Sequence, residues 1–408
     1  MKTELHSEDK MSADPVTNSV TTRVSLTLDD TTLQLRRIWQ QLLGVESVGL
    51  DQNYFDLGGD SILAVQLFAQ IEQVFKVKLP VATLFDAPTI KELAQVLRRE
   101  SPSSGWSPLV TIQAGGSRPP FFCIHGAGGN VLIYRELALH LGSDQPFYGL
   151  QSPGLDGSCA PLKKVEDMAA LYVQEIRKAQ PLGPYFLGGY CGGGTIAYEV
   201  AQQLRRDGEQ VALLALFDSM NWSVFPPPTT LDKSYYNCQK LVFHAMNFLR
   251  LDWDGQSKFF MEKLRILRSR IPIWRGMVLA RLFNNSETGR SESRILGEIW
   301  ENNDRACSQY VPKPYAGVVT DFRPLKQYRM FDNPGARWER LAQAGQQIVT
   351  LPVYPAGMLV EPYVKHLADA LRKSIDRAMS GYQPGPLQNP PARREEIAVA
   401  SGVKKEEH

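Results

Sequence analysis

Cysteine is sparse in this 408-residue sequence: five residues, Cys123, Cys159, Cys191, Cys238 and Cys307, widely separated and without a C-x-x-C pair. An odd, scattered set argues against a disulfide framework and a zinc knuckle, so no metal site is expected and a reducing cytoplasm fits best. Charge of one sign is not in surplus either, since Lys+Arg 45 against Asp+Glu 43 leaves +2. Nothing in that balance points to nucleic acid or a membrane surface as a partner. Runs of about 18 uninterrupted apolar residues are absent, and the N-terminus lacks the apolar core of a signal peptide. The chain is therefore expected to be soluble and not exported. Histidine is also scarce, at six residues.

What is present divides the chain. Residues 1–26 are polar and poor in aromatics, and 381–408 open with four prolines and two glycines before ending in charge; both read as disordered tails. The stretch Ser101-Pro-Ser-Ser-Gly-Trp-Ser-Pro108 reads as a linker between a small domain, 27–100, and a large one, 109–380. In the small domain, Leu33, Ile38, Leu42 and Leu43 fall at helical spacing, as do apolar residues at 62, 63, 65, 67, 68 and 71, and Ile90, Leu93, Ala94 and Leu97. Several amphipathic helices without strand alternation predict a small α-helical bundle. In the large domain, helical patterns alternate with short apolar runs at 121–124, 185–187, 211–217, 318–322 and 348–353. That alternation predicts a mainly parallel sheet with helices on both faces.

In the small domain, Asn53-Tyr-Phe-Asp-Leu-Gly-Gly-Asp-Ser61 puts a serine at a helix start after two glycines. Glycine lets the backbone approach an incoming group, and a helix N-terminus favours phosphate; alternatively, Asp60 and Ser61 simply cap the helix. The segment YFDLGGDSILAVQL, followed by Leu84-Phe-Asp-Ala-Pro-Thr89, closely resembles the peptidyl carrier domains of nonribosomal peptide synthetases over about residues 31–99. The resemblance implies that Ser61 carries a covalent 4'-phosphopantetheine, installed by a phosphopantetheinyl transferase.

In the large domain, Tyr185-Phe-Leu-Gly-Gly-Tyr-Cys-Gly-Gly-Gly194 follows the order strand, G-x-nucleophile-x-G, helix: a nucleophile elbow with cysteine in place of serine. A side chain at 189 or 193 is expected to clash across the turn. The dipole of the following helix is expected to favour a Cys191 thiolate and lower its pKa. Upstream, Phe121-Phe-Cys-Ile-His-Gly-Ala-Gly-Gly129 matches the glycine-rich oxyanion loop of α/β-hydrolases, which makes the N–H groups of Ala127 and Gly192 the candidate oxyanion hole. His125 is expected to prop this loop. The run Val211-Ala-Leu-Leu-Ala-Leu-Phe-Asp218 delivers a carboxylate at a strand end, where sites of open α/β sheets gather. Together HGAGG, GYCGG and LFDS resemble the type I thioesterases that terminate nonribosomal peptide assembly lines, over about residues 108–380. The resemblance implies an α/β-hydrolase fold with a helical lid at about 220–310, and an Asp218 that orients a catalytic histidine.

That histidine departs from the family pattern. Its usual place, a late P-G-x-H loop, corresponds here to Val353-Tyr-Pro-Ala-Gly-Met-Leu-Val-Glu-Pro-Tyr363, which has none. His244, in the lid, is the preferred base, and His366, about a turn into a helix opened by Glu361-Pro362, is the alternative. The basic lid segment 262–281, with six basic residues and one acid, is read as a docking face for the carrier or its phosphate arm. The expected activity is terminal release of a peptidyl thioester delivered by upstream synthetase modules: transfer to Cys191, then intramolecular cyclisation. Cysteine-type release domains of this resemblance include those that close four-membered rings, and the pattern is similar to monobactam-forming thioesterases. β-Lactam formation is therefore the leading expectation, ahead of β-lactone formation, hydrolysis, or an inactive docking platform.

Overall fold

The computed structural model describes residues 28–98, 106–225, 238, 292–325, 336–353 and 357–381. The two predicted tails, most of the linker, the basic segment 262–281 and His244 lie outside the described residues.

The small unit consists of α1 (Leu28–Leu43), α2 (Ser61–Phe75), the single turn α3 (Thr83–Asp86) and α4 (Ile90–Arg98). Leu35, Ile38, Trp39 and Leu43 of α1 meet Leu63, Leu67, Phe68 and Ile71 of α2 and Ile90, Leu93 and Ala94 of α4 in one core. Trp39 and Tyr54 pack edge-on, with centroids 5.3 Å apart. The predicted stripe was off at one residue: Leu33 is 45% exposed. Two residues is about 200° around a helix, so Leu33 faces away from Leu35.

The large unit is a seven-stranded sheet: β1 (Leu109–Gln113), β2 (Phe121–Ile124), β3 (Phe147–Leu150), β4 (Tyr185–Tyr190), β5 (Val211–Phe217), β6 (Val319–Pro324) and β7 (Gln346–Leu351), in the order β1-β3-β2-β4-β5-β6-β7. Only β1 is antiparallel to its neighbour; the other pairings are parallel. Helices α6 (Val165–Ala179), α7 (Gly192–Arg206) and α8 (Glu292–Gln309) share a core on one face. On the other face, α5 (Arg135–Leu141) and α9 (Val364–Ser380) do the same. The sheet centre is aromatic, with Phe121 against Phe147 at 5.4 Å and Phe217 against Phe322 at 5.4 Å.

The strands β1 and β3 escaped the apolar-run reading, β1 because its residues are half exposed, and β7 begins two residues before the run at 348–353, because it opens on Gln346-Gln347 and most of its side chains reach solvent. The last helix begins at Val364 rather than at Glu361-Pro362, which puts His366 in its first turn. Because parallel strands point the same way, the segments after β2, β4 and β5 gather at one edge of the sheet. No described helix is long and apolar enough to cross a membrane.

Candidate active site

Cys191 sits between β4 and α7 with φ 53° and ψ −121°, a backbone region that non-glycine residues rarely occupy. The surroundings enforce it. The Cys191 N–H donates to Phe217 O at 2.9 Å, tying the turn to β5. A Cβ on Gly193 would lie 2.3 Å from His125 O, and one on Gly189 2.3 Å from Gly193 O. Both contacts are with backbone that cannot move aside, so the elbow requires glycine at these two positions. The oxyanion loop is thereby in contact with the elbow. Tyr134 fastens the two further, donating to Ile124 O at 2.6 Å and accepting from Tyr190 N–H at 3.1 Å.

His125 is no base for this site. It is fully buried, one ring nitrogen lies 2.6 Å from Gly126 O, and the other lies 2.7 Å from the Tyr172 hydroxyl. Burial pushes its pKa down to about 4, with the Gly126 hydrogen bond opposing. A neutral ring bridging the loop to α6 is a prop, as the sequence suggested. Ala127 follows in the same loop, nearly buried.

Asp218 leaves β5 at φ 43° and donates its N–H to Phe322 O at 2.9 Å. Its carboxylate acts electrostatically on Cys191. Among the described residues, the charges that bear on this thiol belong to Asp218 and Asp304. No described histidine does so: His140 is 2.6 Å from Glu361, and His366 is an exposed residue of α9.

The expected low-pKa thiolate is not what the structure holds. The Cys191 pKa is raised from 9.0 to about 12, chiefly by burial and then by the Asp218 charge; the Gly192 N–H lowers it only in part, and Asp304 adds to the rise. The error lies in the relative size of two effects. A helix N-terminus is worth about 0.3–1 kcal/mol at an exposed site, whereas three pKa units correspond to about 4 kcal/mol. Cys191 reaches solvent only in part and is enclosed by chain, so desolvation of the thiolate wins.

Sequence reasoning missed the contribution of α8. Its residues Trp300, Asn303, Asp304 and Cys307 recur at helical spacing and turn one face to the elbow and oxyanion loop. The Asn303 Nδ2 donates to Ala127 O at 3.0 Å, Cys307 Sγ lies 3.5 Å from Gly192 O, and the Trp300 ring would lie 3.4 Å from a Cβ on Gly128. The i, i+3, i+4, i+7 pattern was the available signal, but it lies in a segment that could be read only as lid.

In the small unit, Asp60 takes the capping role: its Oδ1 accepts from Leu63 N–H at 2.8 Å and its backbone O from Ala64 N–H at 2.9 Å. Ser61, the first residue of α2, is not required as the cap. Gly59 lies so close to Tyr54 that a Cβ there would fall 2.2 Å from the ring. A serine opening a 15-residue helix beside glycines fits a phosphate ester, because the helix dipole favours the negative charge. The two units also meet directly. The Arg135 guanidinium stands 4.2 Å from the Phe55 ring centroid, and a cavity of about 310 Å³ is lined by Val65 and Phe68 of α2, Asn130 and Val131 of the oxyanion loop, and Leu296 of α8.

Comparison with known proteins agrees with both halves. Residues 34–97 match the phosphopantetheine attachment site family and residues 119–227 the thioesterase domain family. The dimodular nonribosomal peptide synthase of Bacillus subtilis is 41% identical over 182 residues, 45% of this chain and 8% of that protein. Chondramide synthase of Chondromyces crocatus is 36% identical over 388 residues, 90% of this chain and 10% of that protein. The chain thus spans a tenth or less of either relative. A holo four-domain nonribosomal peptide synthetase solved with AMP and glycine aligns with 90% of this chain and 27% of its own, at 25% identity and a TM-score of 0.53. The chain therefore carries a segment like the phosphopantetheine attachment site, which indicates a covalently attached 4'-phosphopantetheine, followed by a segment like the thioesterase domain, an order it shares with parts of nonribosomal peptide synthetases.

Proposed function

We propose that this didomain releases a finished nonribosomal peptide by acyl transfer through Cys191, with intramolecular cyclisation as the outcome and a β-lactam as the favoured ring. The observation that carries the reading is the strained Cys191 elbow, in contact with a glycine-rich loop, in a chain whose carrier bears phosphopantetheine. The arm is held through Ser61 and supplies a thiol on which the peptide arrives as a thioester. Upstream synthetase modules provide that peptide, and a phosphopantetheinyl transferase modifies Ser61.

Cys191 Sγ attacks the thioester carbonyl, giving up its proton to His244 of the lid, which Asp218 orients. The N–H groups of Ala127 and Gly192 stabilise the oxyanion, donors of a kind worth about 2.7–4 kcal/mol each. Collapse expels the pantetheine thiol and leaves the peptide on Cys191. An internal nucleophile then attacks this second thioester and Cys191 departs. Exchange of thioester for thioester is nearly isoenergetic, so the acyl-enzyme retains the driving force to close a strained ring, which an oxoester on serine would lack. The resemblance to the monobactam-forming thioesterase of sulfazecin assembly points to the same ring.

The test is a peptidyl thioester bearing a nucleophile β to the carbonyl, given to the wild type and to Cys191→Ser. A cyclic product from the wild type with linear acid from the serine variant supports the reading; linear acid from both assigns hydrolysis. A second reading, an inactive docking platform, draws on the absence of any described histidine acting on Cys191. It predicts no acyl adduct on Cys191 by intact mass.

A further inference from the structure

The face that α8 turns to the elbow has structural work for three of its four residues. Asn303 holds the Ala127 carbonyl at 3.0 Å, Cys307 contacts the Gly192 carbonyl, and the Trp300 ring covers Gly128. The fourth, Asp304, lies one helical turn from both Trp300 and Cys307, so the contacts on either side bring it to the same place. Its Oδ2 accepts a hydrogen bond from Trp300 Nε1 at 3.1 Å, and its charge bears on both Cys191 and Cys307. Asp304 is nevertheless open to solvent. A carboxylate set among protein groups yet accessible from outside is suited to accept a proton from a group entering the site.

Resting on the acyl-Cys191 reading above, we propose that Asp304 is the general base of the release step. As the nucleophilic N–H or O–H of the peptide attacks the Cys191 thioester carbonyl, its proton moves to the Asp304 carboxylate. The new C–N or C–O bond forms, the C–S bond breaks, and Cys191 leaves as the thiolate. The proton then returns from Asp304 to Sγ, restoring thiol and carboxylate. Asp218 and the lid imidazole serve the first transfer, and Asp304 serves the second. This division gives each half-reaction its own proton acceptor.

The protein groups packed on its inner side partly desolvate the Asp304 carboxylate and raise its pKa, and the Trp300 hydrogen bond opposes that rise. Among the described residues, the titratable groups on which its charge bears are the Cys191 and Cys307 thiols, both held neutral by pKa values well above neutrality, and Asp218 acts on the same Cys191 thiol. Removing the Trp300 donor therefore raises the Asp304 pKa. A release step that needs the Asp304 carboxylate then loses rate at a higher pH than in the wild type.

The experiment uses the full chain, loaded at its carrier with a peptidyl-pantetheine, quenched over time and read by intact mass. In Asp304→Asn, acyl-Cys191 is expected to form at least as fast as in the wild type, since a charge that disfavours the thiolate is gone, and to decay about 10² to 10⁴ times more slowly, the usual cost of losing a general base. In Trp300→Phe, the acid limb of the decay rate is expected to shift to higher pH. Decay at the wild-type rate in Asp304→Asn overturns the proposal, as does equal slowing of acylation and decay, which marks a residue that only shapes the loop. An acid limb unmoved in Trp300→Phe also overturns it. Absence of acyl-Cys191 in the wild type itself overturns the acyl-enzyme reading, and the base assignment with it.

Discussion

Alkylation of Cys191 tests the electrostatics of the elbow most directly, because the structure reverses the usual expectation for a nucleophilic cysteine. The thiol stands at about 12 against a reference of 9.0. At pH 8 an ordinary thiol is about one-tenth ionised, whereas this one is ionised to about one part in 10⁴, a deficit of about three decades. Iodoacetamide should therefore modify the exposed Cys159 readily at pH 8 while Cys191 lags by two to three decades. Its rate should climb about tenfold per pH unit through pH 9–10 without a plateau. Asp218→Asn removes a charge that disfavours the thiolate, leaving the larger burial effect in place. It should accelerate alkylation severalfold, up to about tenfold for a shift of one unit, while abolishing peptide release. Residue-resolved mass spectrometry of timed alkylation measures all three. A Cys191 rate that plateaus near pH 7, or an Asp218→Asn variant alkylated more slowly than wild type, would refute the reasoning.

Three further outcomes are expected. Ser61→Ala should abolish the mass gain of one phosphopantetheine arm on incubation with coenzyme A and a transferase; an unchanged gain would move the attachment site elsewhere. Gly193→Ala should destabilise the protein by about 1–3 kcal/mol or more, since the added methyl meets the His125 and Ile124 carbonyls at 2.3 and 2.4 Å; thermal melting within a degree of wild type would contradict the clash. His244→Ala should slow formation of acyl-Cys191 by about 10² to 10⁴ and His366→Ala should leave it near wild type, so damage confined to His366→Ala would reassign the base to α9.

Much of this molecule was legible because its strongest signals are local. The Gly-x-Cys-x-Gly turn declares itself through glycines that a backbone oxygen at 2.3 Å makes obligatory. The strands β2 and β5 occur where their uninterrupted apolar runs put them, since a central parallel strand is buried on both faces. The edge strand β1 was less readable because its half-exposed residues carry a weak hydrophobic signal. The site's electrostatics were least readable, and for a different reason. A helix dipole can be inferred from a strand–turn–helix pattern, but the burial that overrides it at Cys191 depends on how β2, β5 and α8 close around the turn. Asp304 illustrates the same limit: 113 residues after Cys191 in sequence, it reaches the site only because Asn303 and Cys307 fasten its helix to the Ala127 and Gly192 carbonyls. A thiol held neutral by burial and two carboxylates needs a base to become a nucleophile, so the displaced histidine cannot be dispensed with on the ground that cysteine ionises easily. The raised pKa thus turns the missing late histidine from a tolerable departure into a chemical requirement, which His244 meets for acylation and Asp304 for release in the proposed scheme.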